Sequence, residues 1–398
     1  MHEHGPGVMT PLVVAHSFEV WLPLTMTWAY NQLRYAEGTE AIVLAGATAN
    51  RDRFPWEPVY TTKSKLERSW MRAVRRAGRR AHPRAFERAF RDCRPHVLHS
   101  HFGYRGWADL PLARRHGPAH VVTFYGHDVT MFPSTWPEWR HRYLELFAAA
   151  DLILCEGPFM AGSIIGLGCP WEKVRVQRLG VELDRLPCHP RELRDGEPVR
   201  ILIAGAFRPK KGIPAALEAV AFSRARGHDL RVTVVGGSNG SAIEEAEQAC
   251  IKGVVGRHGL ADVVTFVGMA PYERLLVELE RHHLFLSPSV TAPDGDSEGG
   301  APVTIIEAAA TGMPVVSTTH CDIPEVVEDG MTGILAPEGD QRALDEALDG
   351  LVSAPDRWPA MGEAAADLAR RRFDVRVCAG RLAATYRELA GMPPAGGS

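Results

Sequence analysis

The chain has 398 residues, a length that suggests two domains. Its 45% hydrophobic and 23% charged residues suit a soluble globular protein and exclude a low-complexity or fibrous one, and a formal net charge of −3 makes no case for a nucleic-acid partner. Seven cysteines, at 93, 155, 169, 188, 250, 321 and 378, form no Cys-x-x-Cys pair, which predicts reduced thiols and a cytoplasmic setting rather than a disulfide framework or zinc site. No secretory signal is expected, because the first residues lack a basic segment and a long apolar core. No apolar run approaches a bilayer span, which leaves peripheral contact with the inner membrane face open.

Along 10–130, short apolar runs alternate with helical segments. Strands are predicted at 11–15, 41–45, 96–99 and 119–124, which points to a parallel sheet covered on both faces. Such sheets bind ligands beyond the C-terminal ends of their strands. Polar residues cluster there: His16-Ser17-Phe18 after the first strand, His101-Phe102-Gly103 after the third and Tyr125-Gly126-His127-Asp128 after the fourth. Residues 63–94 carry twelve Lys and Arg against three acids. Leu66, Trp70 and Val74 share one helical face, and Arg68, Arg72, Arg76 and Arg80 the other. A basic amphipathic helix of this kind suits an anionic membrane surface or an anionic acceptor; it also reads as a solvated basic face.

Helix is predicted over 134–150, a strand over 151–155, a helix over 160–167 and a strand over 174–177. The Pro-rich, charged stretch 188–198 reads as a linker, which divides the chain into a first domain over 1–187 and a second over 199–374. The second opens with a buried strand at 200–205. The cations of Arg208-Pro209-Lys210-Lys211-Gly212 follow it, and cations on the loop after a first strand suit a diphosphate. Further strands are expected at 230–235, 263–268 and 284–287, and helices at 214–225, 341–351, 358–371 and 375–389. Residues 391–398 are expected to be disordered.

The stretch 294–307, Asp-Gly-Asp-Ser-Glu-Gly-Gly-Ala-Pro-Val-Thr-Ile-Ile-Glu, runs from a strand through a glycine-bearing loop into a helix. Its free backbone N–H groups and the positive end of the helix dipole suit phosphate. Glu298 and Glu307 do not, since like charges repel; carboxylates suit hydroxyls, as on a ribose or sugar ring. Phosphate donors flanked by hydroxyl acceptors are what a nucleotide-sugar needs.

The pattern Glu298-Gly299-Gly300-Ala301-Pro302, Glu307-Ala308, Gly312-Met313-Pro314-Val315-Val316, then Ile323-Pro324-Glu325-Val326-Val327, resembles the donor site of retaining family-4 glycosyltransferases. Thr123 to Asp128 is similar to the Thr-Phe-His-Gly-x-Asp element of that family, with Tyr125 where many members have His. Gly180-Val181-Glu182 resembles its Gly-Val-Asp signature. The resemblance implies the GT-B fold: α/β, two doubly wound Rossmann-like domains facing across a cleft, with a last helix (375–390) crossing back to the first. It implies transfer of a hexose from a nucleotide-sugar donor to a hydroxyl acceptor (lipid-linked sugar, polysaccharide or small molecule), with retention and without a metal or other cofactor; Asp294-Gly295-Asp296 then reads as a structural loop.

The implied catalytic residues are Lys211, Arg208, Glu298 and His127. Gly205, Gly299, Gly300, Ala301, Pro302, Val303 and Glu307 bind the donor, and Ser17, His101, Tyr125 and Asp128 lie on the acceptor side. Three departures stand out: eight residues rather than seven separate Glu298 from Glu307, Ala206 occupies the usual Arg position with Arg208 two residues on, and Glu182 replaces Asp. A non-catalytic nucleotide-sugar-binding protein and a GT-B epimerase or phosphorylase are the alternatives. A dinucleotide oxidoreductase is set aside, because the first strand is not followed by Gly-x-Gly-x-x-Gly.

Overall fold

A computed structural model describes residues 11–393 apart from 24, 25, 63, 78, 79 and 81. The first sheet holds β1 (Leu12–Trp21), β2 (Thr39–Thr48), β3 (Val59–Thr61), β4 (Val97–His101), β5 (Ala119–Thr123), β6 (Leu152–Cys155) and β7 (Val174–Val176). Its strands are parallel, in the order β3-β2-β1-β4-β5-β6-β7. The second holds β8 (Val199–Ala204), β9 (Leu230–Val235), β10 (Val264–Gly268), β11 (Leu284–Ser287), β12 (Val315–Thr318) and β13 (Gly333–Ala336), parallel in the order β10-β9-β8-β11-β12-β13. Helices cover both sheets, and central strands such as β6, β11 and β12 are buried on both faces, as their short apolar runs require. Two doubly wound domains result, the predicted fold class.

The chain order reverses between β1 and β4 in one sheet and between β8 and β11 in the other. At such a reversal the following loops diverge and leave a crevice. β1 is longer than expected. His16, Ser17 and Phe18 lie within it rather than after it, because β1 pairs with β2 as far as Trp21 opposite Thr48. The predicted helix over 134–150 is two, Met131–Thr135 and Glu138–Ala149, interrupted at Trp136 ahead of Pro137. The short strands β3, β12 and β13 were not expected from the sequence. The basic stretch forms helices Lys65–Arg76 and Arg84–Cys93; the side chains of Arg68, Arg72 and Arg76 lie outside the described residues, as does the 394–398 part of the expected tail.

Helix Trp358–Phe373 packs on the second domain. The chain then crosses back, with the Val375 amide donating to the Val181 carbonyl at 3.1 Å. Helix Val375–Leu389 places Leu382 and Tyr386 against Leu12, Val14, Val97 and Val121 of the first sheet.

Candidate active site in the interdomain cleft

Between the sheets lies a cavity of about 1310 Å³ lined by both domains. On the second-domain side, β8 and β11 are neighbours, so the loops that follow them meet. Lys211 Nζ lies 2.8 Å from Glu298 Oε1, and Ser289 Oγ donates to the same oxygen at 2.9 Å. Lys210 Nζ lies 3.2 Å from Asp296 Oδ1 and donates to the Ser297 carbonyl at 2.8 Å; Arg208 Nη2 lies 2.8 Å from Asp296 Oδ2. Burial alone would raise the Glu298 carboxyl, but the ammonium groups of Lys211 and Lys210 hold it below the usual range. Gly212 fixes this geometry. It caps the helix Ile213–Ala225 at φ 61°, and a Cβ there would come 2.0 Å from the Pro288 carbonyl oxygen.

Pro302 caps the helix Val303–Ala310. Val303 and Thr304, whose amides have no intrahelical acceptor, line the cleft with Gly205, Ala301 and Pro302. One turn on, Glu307 accepts from Tyr272 Oη at 2.7 Å. Burial raises its carboxyl to about 7 against the opposing pull of that hydroxyl and of Arg185. Phosphate-type donors and a hydroxyl-binding carboxyl therefore lie within one helix turn of each other.

The first-domain wall is mixed: Arg34, Arg53, Glu182 and Arg185 line part of it, and a second part carries aromatic groups, an imidazole and one carboxyl. Trp28, Phe102, Tyr125, His127 and Glu156 line that second part. Burial lowers His127, partly offset by Asp128, so its imidazole is neutral at pH 7. Behind the wall, the β1–β4 register sets His16 opposite His99 and Ser17 opposite Ser100. His16 Nδ1 pairs with His101 Nε2 at 3.1 Å, and His101 Nδ1 with Tyr125 Oη at 2.7 Å; His99 bonds Tyr386 Oη and Thr123 Oγ1. Nitrogens of His16, His99 and His101 lie within 4.8 Å of one another, and burial pushes all three imidazoles well down, to the neutral form. Of the six ring nitrogens only His16 Nε2 is without a partner among the described residues.

The sequence-predicted residues thus fall into four groups. Lys211, Glu298, His127, Gly205, Ala301, Pro302, Val303, Glu307 and Tyr125 line one cleft. Arg208 stands beside it, committed to Asp296. Gly299 and Gly300 lie where the domains touch: a Cβ on Gly299 would come 2.2 Å from the Gly126 Cα, and one on Gly300 2.0 Å from Glu156 Oε2. Ser17, His101 and Asp128 are buried behind the wall. Ser17 accepts from Arg105 Nε, His101 supports Tyr125, and Asp128 accepts from the Gly103 and Tyr125 amides. Sequence reasoning missed Lys210 and Glu156. Glu156 follows β6 directly, and the strand-end rule would have found it.

Two family models match: Glycosyltransferase Family 4 over residues 34–185 and Glycosyl transferases group 1 over residues 187–368. The chain belongs to the family-4 glycosyltransferases. It is 36% identical over 248 residues to the amylovoran biosynthesis glycosyltransferase AmsK of Erwinia amylovora, covering 61% of this chain and 58% of that one. It is 34% identical over 258 residues to the putative colanic acid biosynthesis glycosyltransferase WcaL of Escherichia coli (strain K12), covering 64% and 61%. The match therefore spans about six-tenths of these relatives' length. Among solved structures, sucrose-phosphate synthase from Thermosynechococcus elongatus superposes with a TM-score of 0.72 at 18% identity, covering 95% of this chain and 99% of that one. Anabaena HepE in complex with UDP and glucose superposes at 0.74 and 17%, covering 95% and 100%. The family-4 chain thus has the GT-B fold.

Proposed function

We propose that this family-4 chain transfers a hexose from a nucleotide-sugar to an acceptor hydroxyl with retention of anomeric configuration, in the assembly of an exopolysaccharide or glycolipid. The observation that carries the reading is the convergence of Lys210, Lys211, the free amides at Val303–Thr304 and the Glu307 carboxyl on one wall of the cleft. The cations and the helix N-terminus stabilise the departing diphosphate. Glu307 holds the ribose, and Glu298, kept ionised by Lys211, accepts from sugar hydroxyls. Lys210 fills the place of the second cation, while Arg208 acts through Asp296. With this charge the reaction needs no metal, and in a front-face path a phosphate oxygen takes the acceptor's proton. HepE bound to UDP and glucose supports the donor class, and the names of AmsK and WcaL support a polysaccharide acceptor.

Leu66 and Trp70, 84% and 59% exposed on the basic helix Lys65–Arg76, suit peripheral contact with an anionic membrane that carries a lipid-linked acceptor. No helix among the described residues is long and apolar enough to cross a membrane.

The test is donor hydrolysis against UDP-, GDP-, ADP- and dTDP-sugars. Release of one nucleotide, lost in Lys211→Ala and Glu307→Ala, is expected. Tight binding of a donor without release, with or without candidate acceptors, would overturn the enzyme reading in favour of a binding protein.

A further inference from the structure

Glu156 is a carboxyl for which the proposed reaction has so far had no use. It stands at the C-terminal end of β6 in the first domain and reaches across the cleft to the donor loop of the second. A Cβ on Gly300 would come 2.0 Å from its Oε2, so only glycine leaves it room. The charged groups that face it come from four segments. Asp128 on the loop after β5, Asp322 after β12 and Glu298 after β11 are carboxyls; Lys210, after β8, is an opposing cation, and His127 and Lys211 line the same cavity. Among the described residues none hydrogen-bonds its carboxyl. Burial, and after it the nearby Asp322, Asp128 and Glu298 carboxyls, push its carboxyl well above the usual carboxylate range. Neutral acids of this kind serve enzymes as hydrogen-bond donors at pH 7.

We propose that Glu156 is a further substrate-contacting residue, an uncharged carboxylic acid that donates a hydrogen bond to a hydroxyl oxygen of the transferred sugar. The inference rests on the transferase reading above. It gives the sugar pocket two unlike partners. Glu298, ionised, can only accept; Glu156 donates through its hydroxyl and accepts through its carbonyl. A sugar hydroxyl, itself donor and acceptor, meets both needs. A uronate in the same position would face the Glu298 carboxylate, so the pocket selects an uncharged hexose.

Three measurements on the full chain test this. First, the infrared difference spectrum of wild type minus Glu156→Gln at neutral pH is expected to contain a protonated-carboxyl band; its absence overturns the proposal whether or not the chain is a transferase. Second, the kcat/KM for nucleotide-sugar turnover, followed from about pH 6 to about pH 9, is expected to fall on the alkaline side as Glu156 ionises. Third, Glu156→Gln, which keeps a neutral donor, is expected to retain activity within about threefold and to lose that alkaline fall, whereas Glu156→Ala loses about tenfold, the scale of one hydrogen bond to substrate. Equal losses in both variants, or an alkaline fall that persists in Glu156→Gln, overturn it. Should the panel show binding without turnover, the pH series is read on the donor-induced rise in Tm, with the same expectations. A wild type that neither binds nor hydrolyses any nucleotide-sugar sinks the transferase reading and this inference with it, even where the infrared band is present.

Discussion

The two walls of the cleft solve different problems with different chemistry. The second-domain wall is charged and paired: Lys211 with Glu298, Lys210 and Arg208 with Asp296. The first-domain wall also carries Arg34, Arg53, Glu182 and Arg185, but the part of it built of Trp28, Phe102, Tyr125 and His127 is neutral and is backed by three imidazoles that burial keeps uncharged. On the proposed reading a departing diphosphate gathers negative charge, so a wall that stabilises it needs fixed positive charge before the reaction begins. On the same reading an acceptor hydroxyl gains no such charge, because its proton passes to a phosphate oxygen as its own oxygen bonds the sugar, so the part of the wall that meets it can be neutral and shaped instead. Removing a charge from one wall should therefore act on donor chemistry, and removing a ring from the other on acceptor use.

The largest expected effect is that of Lys211→Ala. It removes a phosphate-facing cation and leaves Glu298 buried without its partner, and kcat for donor hydrolysis should fall about 10²- to 10³-fold. Lys210→Ala should cost about tenfold, and Arg208→Ala less, because Arg208 already spends its charge on Asp296; the reverse order would return the diphosphate role to Arg208. Glu307 adds a pH signature. Its folded value is raised from 4.5 to about 7, so the folded chain keeps a proton that the unfolded chain has lost in that window. Its contribution to stability is thus lost as pH rises from 4.5 to about 7. Donor affinity, a property of the folded chain, should strengthen as pH rises through about 7, where the carboxylate forms and accepts from the ribose. Glu307→Gln should flatten both curves, read by thermal melts and donor KM; an unchanged pH dependence would mean another group is responsible.

On the neutral part of the first-domain wall, Trp28→Ala and Tyr125→Phe should lower transfer to acceptor while leaving donor hydrolysis within about twofold. Equal loss of both would show that the walls do not divide the work. The smallest effect should be that of Tyr386→Phe, which strips His99 of one hydrogen bond and should lower unfolding stability by about 1–2 kcal/mol in a denaturant titration, with little change in kcat.

The charged wall was legible in the sequence because its chemistry sits in contiguous motifs. Lys211-Gly212 and the 298–307 loop each carry their residues within a few positions, and a strand on either side places them. The neutral part of the first-domain wall was less legible. His16 and His99 are 83 positions apart, and only the β1–β4 register brings them together. Because the sequence suggests a strand ending at 15, Ser17 was expected at the cleft, whereas pairing with β4 reaches Ser17 and pairing with β2 carries β1 past it. Glu156 was missed because a carboxylate after an apolar strand reads as ordinary solvent-facing polarity; its neighbours Asp128, Glu298 and Asp322 all come from other segments. The parallel sheets were legible because both-face burial leaves unbroken apolar runs.

Helix Val375–Leu389 has a consequence for how the protein is made. Leu382 and Tyr386 cover the face of the first sheet formed by Leu12, Val14, Val97 and Val121, and Tyr386 holds His99. On a ribosome, the first domain emerges early but its cover is translated only after the whole second domain. Until then an apolar sheet face stays open to water and to chaperones. The first domain is thus completed last, and its folding waits on the synthesis of its neighbour.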